Sequence, residues 1–163
     1  LACLNEGVAG RQAPLLTATG ASRTAFAQSM DHLIAIGLLE RNPGHGHPLR
    51  PEFRLTPVGK IAAELASKIQ HLSKGADQDL LRRSWTVPVI TTLYRPSQFT
   101  EIKRTLQIIS DRALSQSLHS MEERCWIRRS VDETARPPKP IYSAINTGAL
   151  IGKVTCPVID WGA

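Results

Sequence analysis

Two stretches of this sequence space their polar side chains as a helix that reads base edges would. Arg112, Ser115, Gln116 and His119 recur at i, i+3, i+4 and i+7, positions that share one face of an α-helix. Thr24, Ala27, Gln28 and Asp31 repeat that arrangement earlier in the chain, with Arg23 near the edge of the same face. Apolar residues occupy the opposite faces, Leu114, Leu118 and Met121 in one stretch and Phe26, Met30 and Leu33 in the other. Arginine suits a guanine edge and glutamine an adenine edge, each by paired hydrogen bonds with about 1–3 kcal/mol of discrimination. Ser22 and Ser110 stand at the heads of the two stretches and join the candidate contacts. Neither stretch is strongly basic, so attraction to phosphate must come from elsewhere. Arg128, Arg129, Arg136 and Lys139 are the candidates near the second stretch, Arg41, Arg50 and Arg54 near the first, and Lys103 and Arg104 lie just before the second. Contacts of that kind set affinity and make it fall steeply with salt.

Other chemistries have less to stand on. His45-Gly46-His47 could chelate, but no Cys or carboxylate is near in sequence, and structural zinc sites usually take four ligands. A hairpin tip near a DNA minor groove is the stronger reading of that loop, and no metal is expected. Cys125 lies between a helix and a strand, which suggests packing rather than redox sensing. No nucleophile–base pair, glycine-rich phosphate loop or paired carboxylates appear, so neither catalysis nor a cofactor is expected.

The totals agree with a nucleic-acid partner without requiring one. The chain of 163 residues carries a net charge of +6. Residues 1–75 hold 8 basic and 5 acidic side chains and the remainder 12 and 9, so each part contributes +3. The composition, 42% hydrophobic and 21% charged, is that of an ordinary soluble domain. Three cysteines in no metal-like spacing point to a reducing compartment. No apolar run approaches the roughly 20 residues that cross a bilayer, and no signal peptide is visible. A cytoplasmic, nucleoid-associated protein with no membrane contact is the expectation.

The elements that must position these residues come from an internal repeat. Residues 22–41 lie over residues 110–129 at an offset of 88, with Phe26 on Leu114, Met30 on Leu118, Leu33 on Met121 and Leu39 on Ile127. Beyond a one-residue gap, Pro51-Glu52-Phe53 and Gly59 lie over Pro140-Ile141-Tyr142 and Gly148 at an offset of 89. In the second unit the pattern predicts a helix over 85–94 with Pro88 in its first turn. A short helix over 99–106 follows, and then a helix from Ser110, whose hydroxyl can cap it, to about Arg124. Two helices joined by so short a turn form a helix-turn-helix. Residues 126–131 and 141–145 read as strands of a hairpin around the Pro-rich loop 132–139. In the first unit Ser22 repeats the cap and Gly37 ends the helix. Residues 38–41 and 53–55 serve as its strands around Pro43-Gly44-His45-Gly46-His47-Pro48.

Closing helices complete each unit. Lys60 to Leu72 sets Ile61, Leu65, Ile69 and Leu72 along one face, the natural packing seam between units. A shorter counterpart is expected over 149–161, interrupted or ended at Pro157. The fold class is therefore mostly α with small β-hairpin wings, as two tandem winged helix-turn-helix units over 1–75 and 76–163. Counting back from Trp85 falls before Leu1, so the first unit is expected to lack its opening helix.

The second unit resembles the HxlR-type branch of bacterial winged-helix regulators, related more distantly to the MarR group. The resemblance rests on Trp85 with Pro88 and Ile90, Phe99 with Glu101-Ile102, and Ser110-Asp111-Arg112 with Leu114-Ser115-Gln116 and Leu118. Glu122-Glu123, Tyr142-Ser143 and Gly148 complete it. The first unit is similar through Gly37-Leu38-Leu39-Glu40-Arg41 and Phe53-Arg54-Leu55-Thr56-Pro57-Val58-Gly59. Cys125-Trp126 stands where the pattern has Gly-Leu, and members typically carry one unit and dimerise through terminal helices. The resemblance implies sequence-specific binding of double-stranded DNA to control transcription, with self-association possible and no effector identified. A rival reading keeps the winged helices as a protein-interaction module, supported by the near-neutral recognition helices.

Overall fold

The computed structural model describes residues 1–42, 51–73, 75–133 and 136–159. They form two compact units, Leu1–Lys68 and Ile69–Ala163. The division falls inside a long helix, ahead of the boundary after residue 75 that the sequence pattern predicts.

The first unit opens with a single helical turn, α1 (Ala2–Asn5), followed by α2 (Gln12–Thr19) and α3 (Arg23–Ala35). Ser22 has extended backbone and its Oγ accepts the Ala25 N–H at 3.2 Å, satisfying a first-turn donor that would otherwise lack a partner. Phe26 and Met30 lie one turn apart on α3 and bury with Leu15 and Leu39. Phe26 meets Phe53 edge to face, the ring centroids 6.1 Å apart. Strands β1 (Leu39–Asn42) and β2 (Glu52–Leu55) pair antiparallel, Leu39 opposite Leu55. The helix α4 (Pro57–Leu72) then crosses the division between units. Its expected apolar stripe is unevenly covered: Ile69 is buried, whereas Ile61 is 51% exposed. Gly59, Ala63 and Ser67, four residues apart, form a buried line of small side chains instead.

The second unit begins with a 3-10 turn (Gly75–Asp77), α5 (Gln78–Leu81) and α6 (Thr86–Thr92). Strand β3 (Ser97–Gln98), a piece the sequence pattern did not reveal, leads into α7 (Phe99–Leu106). Glu101 accepts the Gln98 N–H at 2.7 Å as half of a capping box. Then come α8 (Asp111–Glu123), β4 (Ile127–Asp132), β5 (Lys139–Ala144) and α9 (Asn146–Ile159). The sheet order is β3-β5-β4, antiparallel throughout. Leu114, Leu118 and Met121 of α8 are buried, as are Val89, Ile90, Ile102, Ile109 and Ile151. Trp126, at 1% exposure, is among the largest buried side chains, and its indole N–H has no partner among the described residues.

One expectation is overturned in α9, which continues through Pro157 to Ile159. A proline there removes one hydrogen bond, to the Lys153 carbonyl, and crowds that oxygen. The helix is held from its other side: Ile151 is fully buried, Gly152 lies 3.6 Å from the Ile90 carbonyl by its β-position, and Thr155 Oγ1 meets Thr91 Oγ1 at 2.9 Å.

The sequence offsets reappear as hydrogen bonds. The Gly37 and Leu38 N–H groups donate to the Ile34 and Leu33 carbonyls, and Cys125 and Trp126 donate to Glu122 and Met121, all at 2.9 Å. Both are helix endings in which the residue after the cap turns left-handed, with φ 74° at Gly37 and 55° at Cys125. The Leu38 carbonyl then accepts the Thr56 N–H, and the Trp126 carbonyl the Ile145 N–H.

Candidate nucleic-acid interface

Helix α8 is built to present one face. Ser110 caps it as Ser22 caps α3, its Oγ accepting the Ala113 N–H at 3.2 Å. Ile109, 1% exposed, pins the turn from α7 to the core. With Leu114, Leu118 and Met121 holding the inner face, Arg112, Ser115, Gln116 and His119 are all exposed. Three of them, Arg112, Gln116 and His119, run along nearly one line. His119 Nε2 lies 3.3 Å from Glu123 Oε1, one turn on, so this ring already has a polar neighbour. The helix also begins with a local ion pair. Lys103 Nζ of α7 meets Asp111 Oδ1 at 2.5 Å, which places Lys103 against the first turn of α8 rather than out at a distant phosphate.

The hairpin that follows carries the expected cations on both strands. Arg128 stands opposite Ser143, Arg129 opposite Tyr142, and Asp132 opposite Lys139. Arg128, Arg129, Arg136 and Lys139 are exposed, as is Arg104 on α7. Alternation along β4 sends Arg128 and Arg129 to opposite faces of the hairpin.

This combination of capped helix, short turn and basic hairpin agrees with a family-level match. Residues 80–163, more than half of the chain, match the family model for an HxlR-like helix-turn-helix. The chain belongs to the HxlR-like helix-turn-helix family. No curated protein matches. Among solved structures, the chain is similar to the reduced form of the transcriptional regulator YodB from B. subtilis, at 24% identity over 67% of this chain and 92% of that one, TM-score 0.44. A putative MarR-family regulator from Porphyromonas gingivalis W83 matches at 21% identity over 53% and 84%, TM-score 0.45. A possible HxlR family transcriptional factor from Thermoplasma volcanium GSS1 matches at 13% over 75% and 94%, TM-score 0.45.

Outside the residues matched to the HxlR-like family, α3 exposes Arg23, Thr24, Ala27, Gln28 and Asp31. Arg41 is exposed on β1, opposite Phe53. Arg54 lies 3.5 Å from Glu52, whose other oxygen takes Arg11 at 3.5 Å. The first hairpin thus spends part of its positive charge internally. Arg50 and the His45-Gly46-His47 loop lie outside the described residues. Among the described residues no three His, Cys, Asp or Glu side chains gather as a metal site, and no helix is long and apolar enough to cross a membrane.

Two placements depart from the sequence reading. Cys125 is exposed rather than packed, because the left-handed turn at the end of α8 points its side chain away from the core. An open cleft of about 300 Å³ also lies along one flank of α8, lined by Arg83, Ser84, Trp85, Ala113, Gln116 and Ser117. Arg83 Nη1 donates to Ser120 Oγ at 2.6 Å. Of these residues only Trp85 and Gln116 were singled out in sequence. The adjacent Arg82-Arg83 was the one available signal, and some thirty positions separate it from α8.

Proposed function

We propose that the protein binds double-stranded DNA sequence-specifically and thereby controls transcription, acting by binding and not by catalysis. The observation that carries this reading is the exposed line of Arg112, Gln116 and His119 on a serine-capped helix whose opposite face is buried. A helix of that form fits the major groove, where arginine and glutamine distinguish guanine and adenine. Ser115 is exposed beside that line, and Ser110 stands at the helix head. Arg128, Arg129, Arg136 and Lys139 on the wing, with Arg104, supply phosphate contacts that hold it there.

The first unit is a second reader in this proposal. Its support is the repeated set of hydrogen bonds around Ser22, Gly37 and Leu38, equivalent to those at Ser110, Cys125 and Trp126. Arg23, Thr24 and Gln28 are its base-facing side chains, beside Ser22, and Arg41, Arg50 and Arg54 its wing cations. Two units in one chain then act as a built-in pair, inside a bacterial cytoplasm and on the nucleoid. Because the two reading faces differ, the operator is asymmetric or only loosely palindromic, unlike the site of a symmetric dimer.

The test is binding to genomic fragments at rising salt. A subset of sequences should be retained at salt that releases the rest, and the paired change Arg112→Ala with Gln116→Ala should erase that preference while sparing most nonspecific affinity. Equal affinity for all sequences, or none at low salt, would favour a protein-interaction module instead.

A further inference from the structure

The cleft beside α8 shares only Gln116 with the contacts assigned above. It lies on the flank formed by Ala113, Gln116, Ser117 and Ser120, next to the outward line of Arg112, Gln116 and His119, and Gln116 is common to both. Its opposite wall is Arg83, Ser84 and Trp85, and no carboxylate among the described residues lines it. The donors are therefore a guanidinium, two hydroxyls, a carboxamide and an indole N–H. That set suits an oxyanion. Arg83 is held in place by its bond to Ser120, which uses one of its five N–H groups and leaves the others to turn toward the cleft. The cleft is open to solvent and, at about 300 Å³, sits at the lower end of the range for sites that enclose a small molecule.

A helix about 10–12 Å across nearly fills a major groove about 12 Å wide. When its outward line faces the bases, its flanks face the two phosphate backbones. The geometry points to a phosphate seat: the cleft takes one backbone phosphate of the bound duplex, held by Arg83 with Ser84 and Ser117 beside it. This inference rests on the DNA-reading proposal and adds an anchor to it. The anchor is sequence-independent, because a backbone phosphate is the same at every base pair.

The experiment measures affinity of the full chain for a preferred and a random duplex across a salt series, for wild type, Arg83→Gln, Arg83→Lys and Ser120→Ala. Thermal unfolding of each variant confirms folding. Loss of one phosphate contact lowers the slope of log affinity against log salt by about 1 and weakens binding about tenfold near 0.1 M salt. Arg83→Gln should show that loss equally on both duplexes. Arg83→Lys should keep the slope, and Ser120→Ala should keep it with at most about a twofold loss. An unchanged slope in Arg83→Gln overturns the phosphate seat, as does a changed sequence preference or an equal loss in Ser120→Ala. If the wild type binds no duplex at low salt, the DNA-reading proposal itself has failed, which is a distinct result.

Discussion

Gly148 packs against the carbonyl oxygen of Trp126 so closely that a β-carbon built at 148 would stand 2.2 Å from it. Gly59 has the same relation to the Leu38 carbonyl, at 1.8 Å. In each unit the first turn of the closing helix, α4 or α9, is clamped onto the residue that joins α3 or α8 to its hairpin. Replacing Gly148 by Ala must push these two backbones apart, at a cost of about 1–3 kcal/mol for overpacking a closed site. Gly59→Ala should cost a similar amount. Urea unfolding followed by circular dichroism measures both, and a shift below about 0.5 kcal/mol would show that the joint yields freely.

Cys125 occupies a left-handed position that Gly37 fills in the first unit. A side chain there costs roughly 1–2 kcal/mol, and glycine gives back part of that through its larger unfolded-state entropy. Cys125→Gly should therefore stabilise the protein by about 0.5–1 kcal/mol. Its hydrogen bonds, from its N–H to Glu122 and to its carbonyl from Asn146 Nδ2, use backbone atoms and should survive. A lower denaturation midpoint in Cys125→Gly would mean that the thiol makes a contact worth more than the strain.

What could be read in the sequence was local. Spacing alone placed Leu114, Leu118 and Met121 inside and Arg112, Ser115, Gln116 and His119 outside, because helix periodicity ties burial to position. Ser22 and Ser110 declared their caps for the same reason, since a capping bond spans only three residues. The pairings that cross between elements were not legible. Lys103 with Asp111 and Arg83 with Ser120 depend on how α6, α7 and α8 pack. The short β3 carried no alternation to detect, being two residues long. Cys125 misled for a different reason: the chain position between helix and strand was read as packing, while the left-handed turn that ends the helix turns that residue outward. Pro157 misled because a local penalty was outweighed by packing elsewhere on α9.

The two serine caps give a stability prediction with a functional readout. Ser110→Ala leaves the Ala113 N–H without its acceptor and should cost about 1 kcal/mol, while Ser110→Asp keeps an acceptor and should cost far less. Fraying of that turn also loosens Arg112, which stands on it. DNA affinity of Ser110→Ala should fall further than its global stability does, as seen by comparing a binding isotherm with a melt. Equal binding by wild type and Ser110→Ala would separate the head of α8 from DNA reading.

Lys103 and Asp111 give the sharpest test of how the charges are allotted. Their contact at 2.5 Å is an exposed pair on the Asp111 side, with that side chain 76% accessible, so it adds little to stability. Asp111 also places a negative charge at the head of the helix proposed to enter a groove lined by phosphates. Asp111→Asn should then change unfolding free energy by less than about 1 kcal/mol. It should nevertheless raise affinity for any duplex, and steepen the salt dependence by about 1 as Lys103 turns to a phosphate. Lys103→Ala in the same background should reverse that gain. If Asp111→Asn binds no more tightly at low salt, Lys103 serves only to fasten α7 to α8, and the phosphate contacts must come from the hairpin and from Arg83.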